Sequence, residues 1–294
     1  MMTVRGTMVF LSIFFSVALA SAQNTPCEFD TAKLAFKGTP VKQARCLLRP
    51  NGIGGVLGAP LERLPKSLES RIGRRFDLRL ASIASYLERG NIDAQAVGGS
   101  LNPIPRPTST SLGRTTIRYF VIHDTSHPYL GDGPFPDGFD SDPSWRGNDL
   151  SIWTSQPVAH VFVNRLGQSL TTTPFDEPVR KGFGTKFARD VLKTGEKWRQ
   201  VHIELVQPRR RDSKDPNPGN DRIAPMPGFT AAQYERLALL YLMASARDGR
   251  WLIPAYHSAM DAGIKDAHDD PQNFDLSAFA RALDLLVVSL RQNR

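Results

Sequence analysis

From residue 115 onward the chain alternates short runs of β-branched and aromatic residues with long amphipathic stretches, a pattern that leaves few architectures open. The runs 115–123, 158–164 and 200–206 read as strands, and 168–173 as a short hairpin partner. Thr230 and Gln233 form a capping box ahead of Tyr234, Leu237, Tyr241 and Ala244, which follow helical spacing up to Gly249. Asp275 can cap a last helix whose apolar stripe is Leu276, Phe279, Leu283, Leu286 and Leu290. Both stripes read as core faces. The expected fold is α/β, a central mixed β-sheet flanked by helices and preceded by a small N-terminal region with helices.

Upstream, Gly and Pro punctuate two expected helices, 61–72 and 77–89, and the segment holds no histidine. The stretch 97–107 pairs glycines with repeated prolines, which continue neither helix nor strand, so it reads as a linker with a boundary near 105. At the extreme N-terminus Arg5 precedes an apolar run over 8–20 and a small-x-small site, Ala20-Ser21-Ala22. This is the pattern of a secretory signal peptide over 1–22, and the run is shorter than the roughly 20 residues that span a bilayer. The expectation is an exported protein, periplasmic or extracellular, with no membrane anchor after cleavage. In such a compartment Cys27 and Cys46 read as a pair rather than as two buried thiols. Cys27 follows Thr25-Pro26, outside a lipoprotein context, so no lipidation is expected.

Composition excludes a collagen-like, disordered or disulfide-dense chain, since 40% of the 294 residues are hydrophobic and only two are cysteine. With 37 Lys and Arg against 29 Asp and Glu, the net charge of +8 favours anionic partners. The basic residues are dispersed and no reading motif is present, so nucleic acid is not among those partners. The run Arg209-Arg210-Arg211 reads as a solvated face that could grip an anionic substrate, and the acidic stretch 132–142 lacks the spacing of an EF-hand loop.

All six histidines, at 123, 127, 160, 202, 257 and 268, follow the linker. No HExxH helix is present, so any metal site must be assembled from separate segments. His123 ends an apolar strand, and His257 is followed by a loop dense in ionisable groups, Lys265-Asp266-Ala267-His268-Asp269-Asp270-Pro271. Two neutral imidazoles and a carboxylate suffice to hold a catalytic Zn²⁺ with one position open. Glu204 sits among Val201, Ile203, Leu205 and Val206, where an unpaired carboxylate is costly unless it has a cation or a catalytic task.

The segments Phe120-Val121-Ile122-His123-Asp124-Thr125, Ala159-His160-Val161-Phe162-Val163-Asn164-Arg165-Leu166-Gly167, Ile203-Glu204-Leu205, Thr230-Ala231-Ala232-Gln233-Tyr234 and His257-Ser258 with Asp270-Pro271 and Phe274-Asp275 occur in one order. In that order the chain resembles the zinc-dependent N-acetylmuramoyl-L-alanine amidases of the peptidoglycan-recognition-like family, over about 115–280. The resemblance implies a catalytic domain over 106–294 and hydrolysis of the amide between N-acetylmuramic acid and L-alanine in peptidoglycan or a muropeptide. It implies Zn²⁺ held by His123, His257 and Asp270, with Asp269 a competitor for the last place that the Asp-Pro match disfavours. Glu204 matches the family's base for the attacking water. The family's oxyanion-stabilising Lys stands two residues before the acidic ligand, where this chain has His268; either His268 or nearby Lys265 can fill the role. His160 matches a motif position as a wall or packing residue, and His127 and His202 read as structural or solvent-facing. A non-catalytic peptidoglycan-binding protein and a zinc peptidase acting on the stem peptide are the rival readings. For residues 27–105 a wall-targeting module, a partner-docking domain and a brace for the catalytic domain all stand open.

Overall fold

The computed structural model describes residues 25–100, 118–156, 158–177, 184–191 and 200–292. The expected signal peptide and the part of the linker beyond Ser100 lie outside them. The N-terminal segment folds into β1 (Phe29–Asp30), β2 (Ala35–Phe36), α1 (Pro40–Leu47), α2 (Lys66–Glu69) and α3 (Leu80–Arg89). There follow β3 (Tyr119–Asp124), β4 (Val161–Val163), β5 (Ser169–Thr171), α4 (Lys186–Asp190), β6 (Gln200–Leu205), α5 (Ala231–Asp248), β7 (Ile253–Tyr256), α6 (His257–Met260) and α7 (Leu276–Gln292).

Strands β5-β4-β6-β3-β7 form one sheet in that spatial order. β5 runs antiparallel to β4 and every other pairing is parallel, so the sheet is mixed, as expected from sequence. Every residue of β3 is buried, which requires packed layers on both faces. The layers are identified by alternate residues. The Tyr119 hydroxyl accepts a hydrogen bond from Phe36 N at 3.0 Å and donates to Gln43 Oε1 at 2.9 Å, so one face is covered by the N-terminal segment. Phe120, on the opposite face, meets the Tyr241 ring of α5 edge-on at 5.3 Å. The apolar residues of α1, α2 and α3, among them Leu47, Leu68 and Ile83, belong to the same hydrophobic core as β3, β7 and α7.

Helix α5 begins as its sequence predicts: Thr230 Oγ1 accepts from Gln233 N, and Gln233 Oε1 accepts from Thr230 N, both at 3.1 Å. Asp275 Oδ1 likewise accepts the backbone N–H groups of Ser277 and Ala278 at the start of α7. The helix expected over 61–72 shrinks to Lys66–Glu69, because Pro65 disfavours helical geometry at Leu64 and confines the start to its C-terminal side. Helix α1 was not foreseen, although Thr39-Pro40 is a readable start: Thr39 Oγ1 accepts from Lys42 N, and Pro40 occupies the first helical position, where its missing N–H costs nothing. Among the described residues no helix is long and apolar enough to cross a membrane.

Cys27 and Cys46 form a disulfide that closes a loop of 19 residues onto α1. Replacing both cysteines by serine is expected to lower stability by about 3 kcal/mol through the freed unfolded chain, measurable as a fall in the urea midpoint.

Candidate metal centre

The site lies at the C-terminal edge of the sheet, and strand register assembles most of it. β3 and β6 pair in parallel with His123 opposite Glu204, so both side chains project from the face shared with Tyr119. Phe162 of β4 pairs with Glu204 and joins them. Tyr256 of β7 pairs with Ile122, which brings the next residue, His257, beside His123 at the first position of α6. The imidazole centroids of His123 and His257 are 4.3 Å apart. Asp270 arrives from the following loop, fastened by Ser258 N to its carbonyl at 2.8 Å and by Asp124 N to its Oδ2 at 3.2 Å.

His123, His257 and Asp270 are all buried, and their ligand atoms lie within 4.8 Å of one another. His257 Nδ1 is 2.9 Å from Asp270 Oδ1, and His123 Nδ1 is 3.5 Å from Asp270 Oδ2. The outer nitrogens are occupied: His123 Nε2 lies 2.9 Å from His202 Nδ1, and His257 Nε2 lies 2.9 Å from Asp261 Oδ2. With both Nε2 atoms turned outward, toward His202 and Asp261, the two Nδ1 atoms and a carboxylate converge on one point, the donor set of a buried cation site. These residues can hold a metal ion.

The electrostatics agree. Burial, reinforced by the neighbouring His257, pushes the His123 pKa down to about 4. Burial also acts to lower His257, but the Asp270 and Asp261 carboxylates outweigh it and hold that imidazole up at about 10. A proton on His257 therefore balances the carboxylates in the metal-free protein. Burial, and next the Asp270 charge, raise the Glu204 carboxyl well above the usual range. Its Oε1 is 3.7 Å from His123 Nδ1, and its Oε2 has no hydrogen-bond partner among the described residues.

These groups line a cleft of about 510 Å³. Trp153, stacked on Phe162 at 4.6 Å, makes an apolar wall, and Lys186 and Arg189 of α4 stand on another side. His268 also lines the cleft, its ring stacked on His257 at 4.3 Å and its Nδ1 3.3 Å from Asp261 Oδ2. Lys265 does not reach it. Successive turns, Asp261 N to His257 O, Ile264 N to Asp261 O and Ala267 N to Ile264 O, carry Lys265 to the exposed side, where it lines a second cavity that His268 also borders. Of the two competing aspartates, Asp270 faces the imidazoles, whereas Asp269 accepts from Gln272 Nε2 at 2.6 Å and lies 3.5 Å from Arg209.

Arg209 corrects the expectation of a solvated arginine run. It is fully buried and donates to Asp124 Oδ2 at 2.6 Å, because the carboxylate that follows His123 needs a cation once it is enclosed. Arg211 does face outward, near Asp132. His202 is buried behind His123, and the i, i+2 spacing from Glu204 on one strand was a signal that both share a face. His160 is buried too, its Nδ1 accepting from His202 N at 3.0 Å, while His127 is exposed against Trp153. Asp261 stands four residues after His257 and was overlooked, although that is the spacing that joins side chains across one helical turn. It also accepts Lys186 N and Phe187 N at the start of α4. With His257 and His268 it makes a second possible ligand group that shares His257 with the first.

Comparison with protein-family models, curated proteins and solved structures finds no match to this chain.

Because His257 carries a proton up to about pH 10 without metal, loading the site through Nδ1 must expel it. Metal affinity is expected to rise about tenfold per pH unit between pH 6 and 8, with one proton released per ion, as read by chelator competition and calorimetry in buffers of different ionisation enthalpy.

Proposed function

We propose that the protein is a Zn²⁺-dependent hydrolase of the amide between N-acetylmuramic acid and L-alanine in peptidoglycan or its fragments. The observation that carries the reading is the convergence of His123 Nδ1, His257 Nδ1 and Asp270 beside Glu204, whose Oε2 has no hydrogen-bond partner among the described residues, in the lining of one cleft. Two imidazoles and one carboxylate suit Zn²⁺, which when bound supplies Lewis-acid polarisation of the scissile carbonyl. The choice of bond rests on the resemblance of the motif order to that of the muramoyl-alanine amidases, and the expected export signal suits a wall substrate.

The protein's own groups account for the rest. Glu204 has a raised pKa and a free Oε2, so it can take a proton from the attacking water and return it to the departing L-alanine nitrogen as the C–N bond breaks. His268, steadied by Asp261 and open to the cleft, can donate to the oxygen that becomes negative when the carbonyl is attacked. Lys186 and Arg189 offer positive charge to the stem-peptide carboxylates, and Trp153 and Phe162 offer an apolar wall to sugar or peptide.

Mass spectrometry of purified peptidoglycan incubated with the mature protein tests the reading. Chelator-sensitive release of intact stem peptides beginning at L-alanine is expected; cleavage inside the stem would make it a peptidase, and binding without products a recognition protein. Glu204→Gln is expected to cut turnover by about 10²–10⁴ while leaving metal content unchanged. His268→Ala should lower turnover by about 10²–10³, and Lys265→Ala should stay within about twofold of the parent.

A further inference from the structure

The N-terminal segment touches the loop that carries Asp270 at three points. Asn51 Nδ2 donates to the carbonyl oxygen of Asp269, and lies 3.4 Å from that of Pro271, so one amide group holds the backbone on both sides of Asp270. Gly55 lies against Asp269 so closely that a Cβ there would sit 3.0 Å from the Asp269 Cβ. Farther back along the same loop, Pro26 fills the space beside Gly263, where a Cβ would meet the proline ring at 2.5 Å. The 51–58 turn that presents Asn51 and Gly55 is itself closed, by Gly52 N to Val56 O at 2.9 Å and Gly58 N to Pro50 O at 2.8 Å.

We propose that Asn51 is a positioning residue for the metal ligand Asp270, and that residues 26–100 serve as a built-in brace of the metal centre. The inference rests on the reading of His123, His257 and Asp270 as metal ligands. Its physical basis is the origin of the ligands. His123 and His257 are placed by strands β3 and β7, and their positions follow from sheet register. Asp270 instead lies on a loop, 13 residues beyond His257, and a loop residue keeps a ligand geometry only as well as its backbone is held. From within the sheet domain Ser258 N holds the Asp270 backbone carbonyl and Asp124 N its carboxylate. Asn51 supplies the opposite side, across 218 residues of sequence. The disulfide and the burial of α1 against β7 make the donor rigid relative to the sheet. Of the roles open to this segment, the contacts select the brace.

The test measures metal binding directly on the whole mature chain, by Zn²⁺ competition against a chromophoric chelator and by the visible spectrum of the Co²⁺-loaded protein. Asn51→Ala is expected to weaken Zn²⁺ binding ten- to a hundredfold and to alter the Co²⁺ bands, as loss of groups supporting a ligand does elsewhere. Leu290→Ala, in the core of α7 and outside residues 26–100, serves as the control: it should lower thermal stability and leave affinity and spectrum unchanged. If Asn51→Ala does not fold, Gly55→Ala carries the test, since its methyl group pushes on Asp269 and should weaken binding in the same way. Parental affinity and spectrum in the Asn51 or Gly55 variant overturns the proposal. Equal losses in Asn51→Ala and Leu290→Ala overturn it as well, by reducing the effect to general stability. A parent protein that binds neither ion overturns the metal reading itself, an outcome distinct from failure of the brace alone.

Discussion

The parallel register of β3 against β6 is the constraint on which the site depends. It sets His123 opposite Glu204, and the period of two then puts His202 on the same face while Val201, Ile203 and Leu205 turn toward α5. A slip of one residue would exchange those sets, sending the imidazoles and the carboxylate into the helical layer and exposing the aliphatic residues on the cleft side. The hydrophobic demand of α5 and α7 on one face therefore protects the polar arrangement on the other. Stability and chemistry are specified by the same hydrogen-bonded ladder.

Enclosing this much charge beside the cleft requires partners, and the buried carboxylates Asp124 and Asp261 have them. Asp124 receives the Arg209 guanidinium together with the backbone N–H of Gln272, and Asp261 receives two backbone N–H groups besides the His257 imidazole. These carboxylates are held by groups that stay put. Glu204 Oε2 is left over, and an unpaired buried oxygen beside two imidazoles has its energetic cost concentrated at the place where proton transfer would be useful. Asp261 adds a connection between regions, because it holds His257, His268 and the start of α4 together. The cations Lys186 and Arg189 on α4 are thereby tied to the residues that would hold the metal.

Residues 26–100 enter this arrangement as a layer of the fold. Phe36 and α1 meet the sheet face from which His123 and Glu204 emerge, α2 and α3 pack on α7, and the Asn51 turn closes on the Asp270 loop at the rim. A segment without histidine thus contributes to a histidine site through an amide, Asn51, a glycine, Gly55, and a proline, Pro26, residues whose effect is exerted on backbone position.

Much of the architecture was legible in local signals: alternating apolar residues for the strands, capping residues for α5 and α7, and a strand carboxylate with no solvent-facing reason to be there. Those features depend on residues within a turn or a strand of one another, where covalent geometry and hydrophobic periodicity decide the outcome. The Thr39-Pro40 start of α1 was equally local and was passed over, whereas Pro65 shortened a helix that periodicity alone had extended. By itself the sequence determined the α/β class, the candidate ligands His123, His257 and Asp270, and Glu204 as an anomaly that needs a task. Only the tertiary structure put His268 and not Lys265 in the cleft lining, buried Arg209 against Asp124, set Asp261 behind His257 and brought Asn51 to the Asp270 loop. Those outcomes depend on where a loop turns and on which distant segment packs against it, and such contacts leave no periodic or local trace in the chain that makes them.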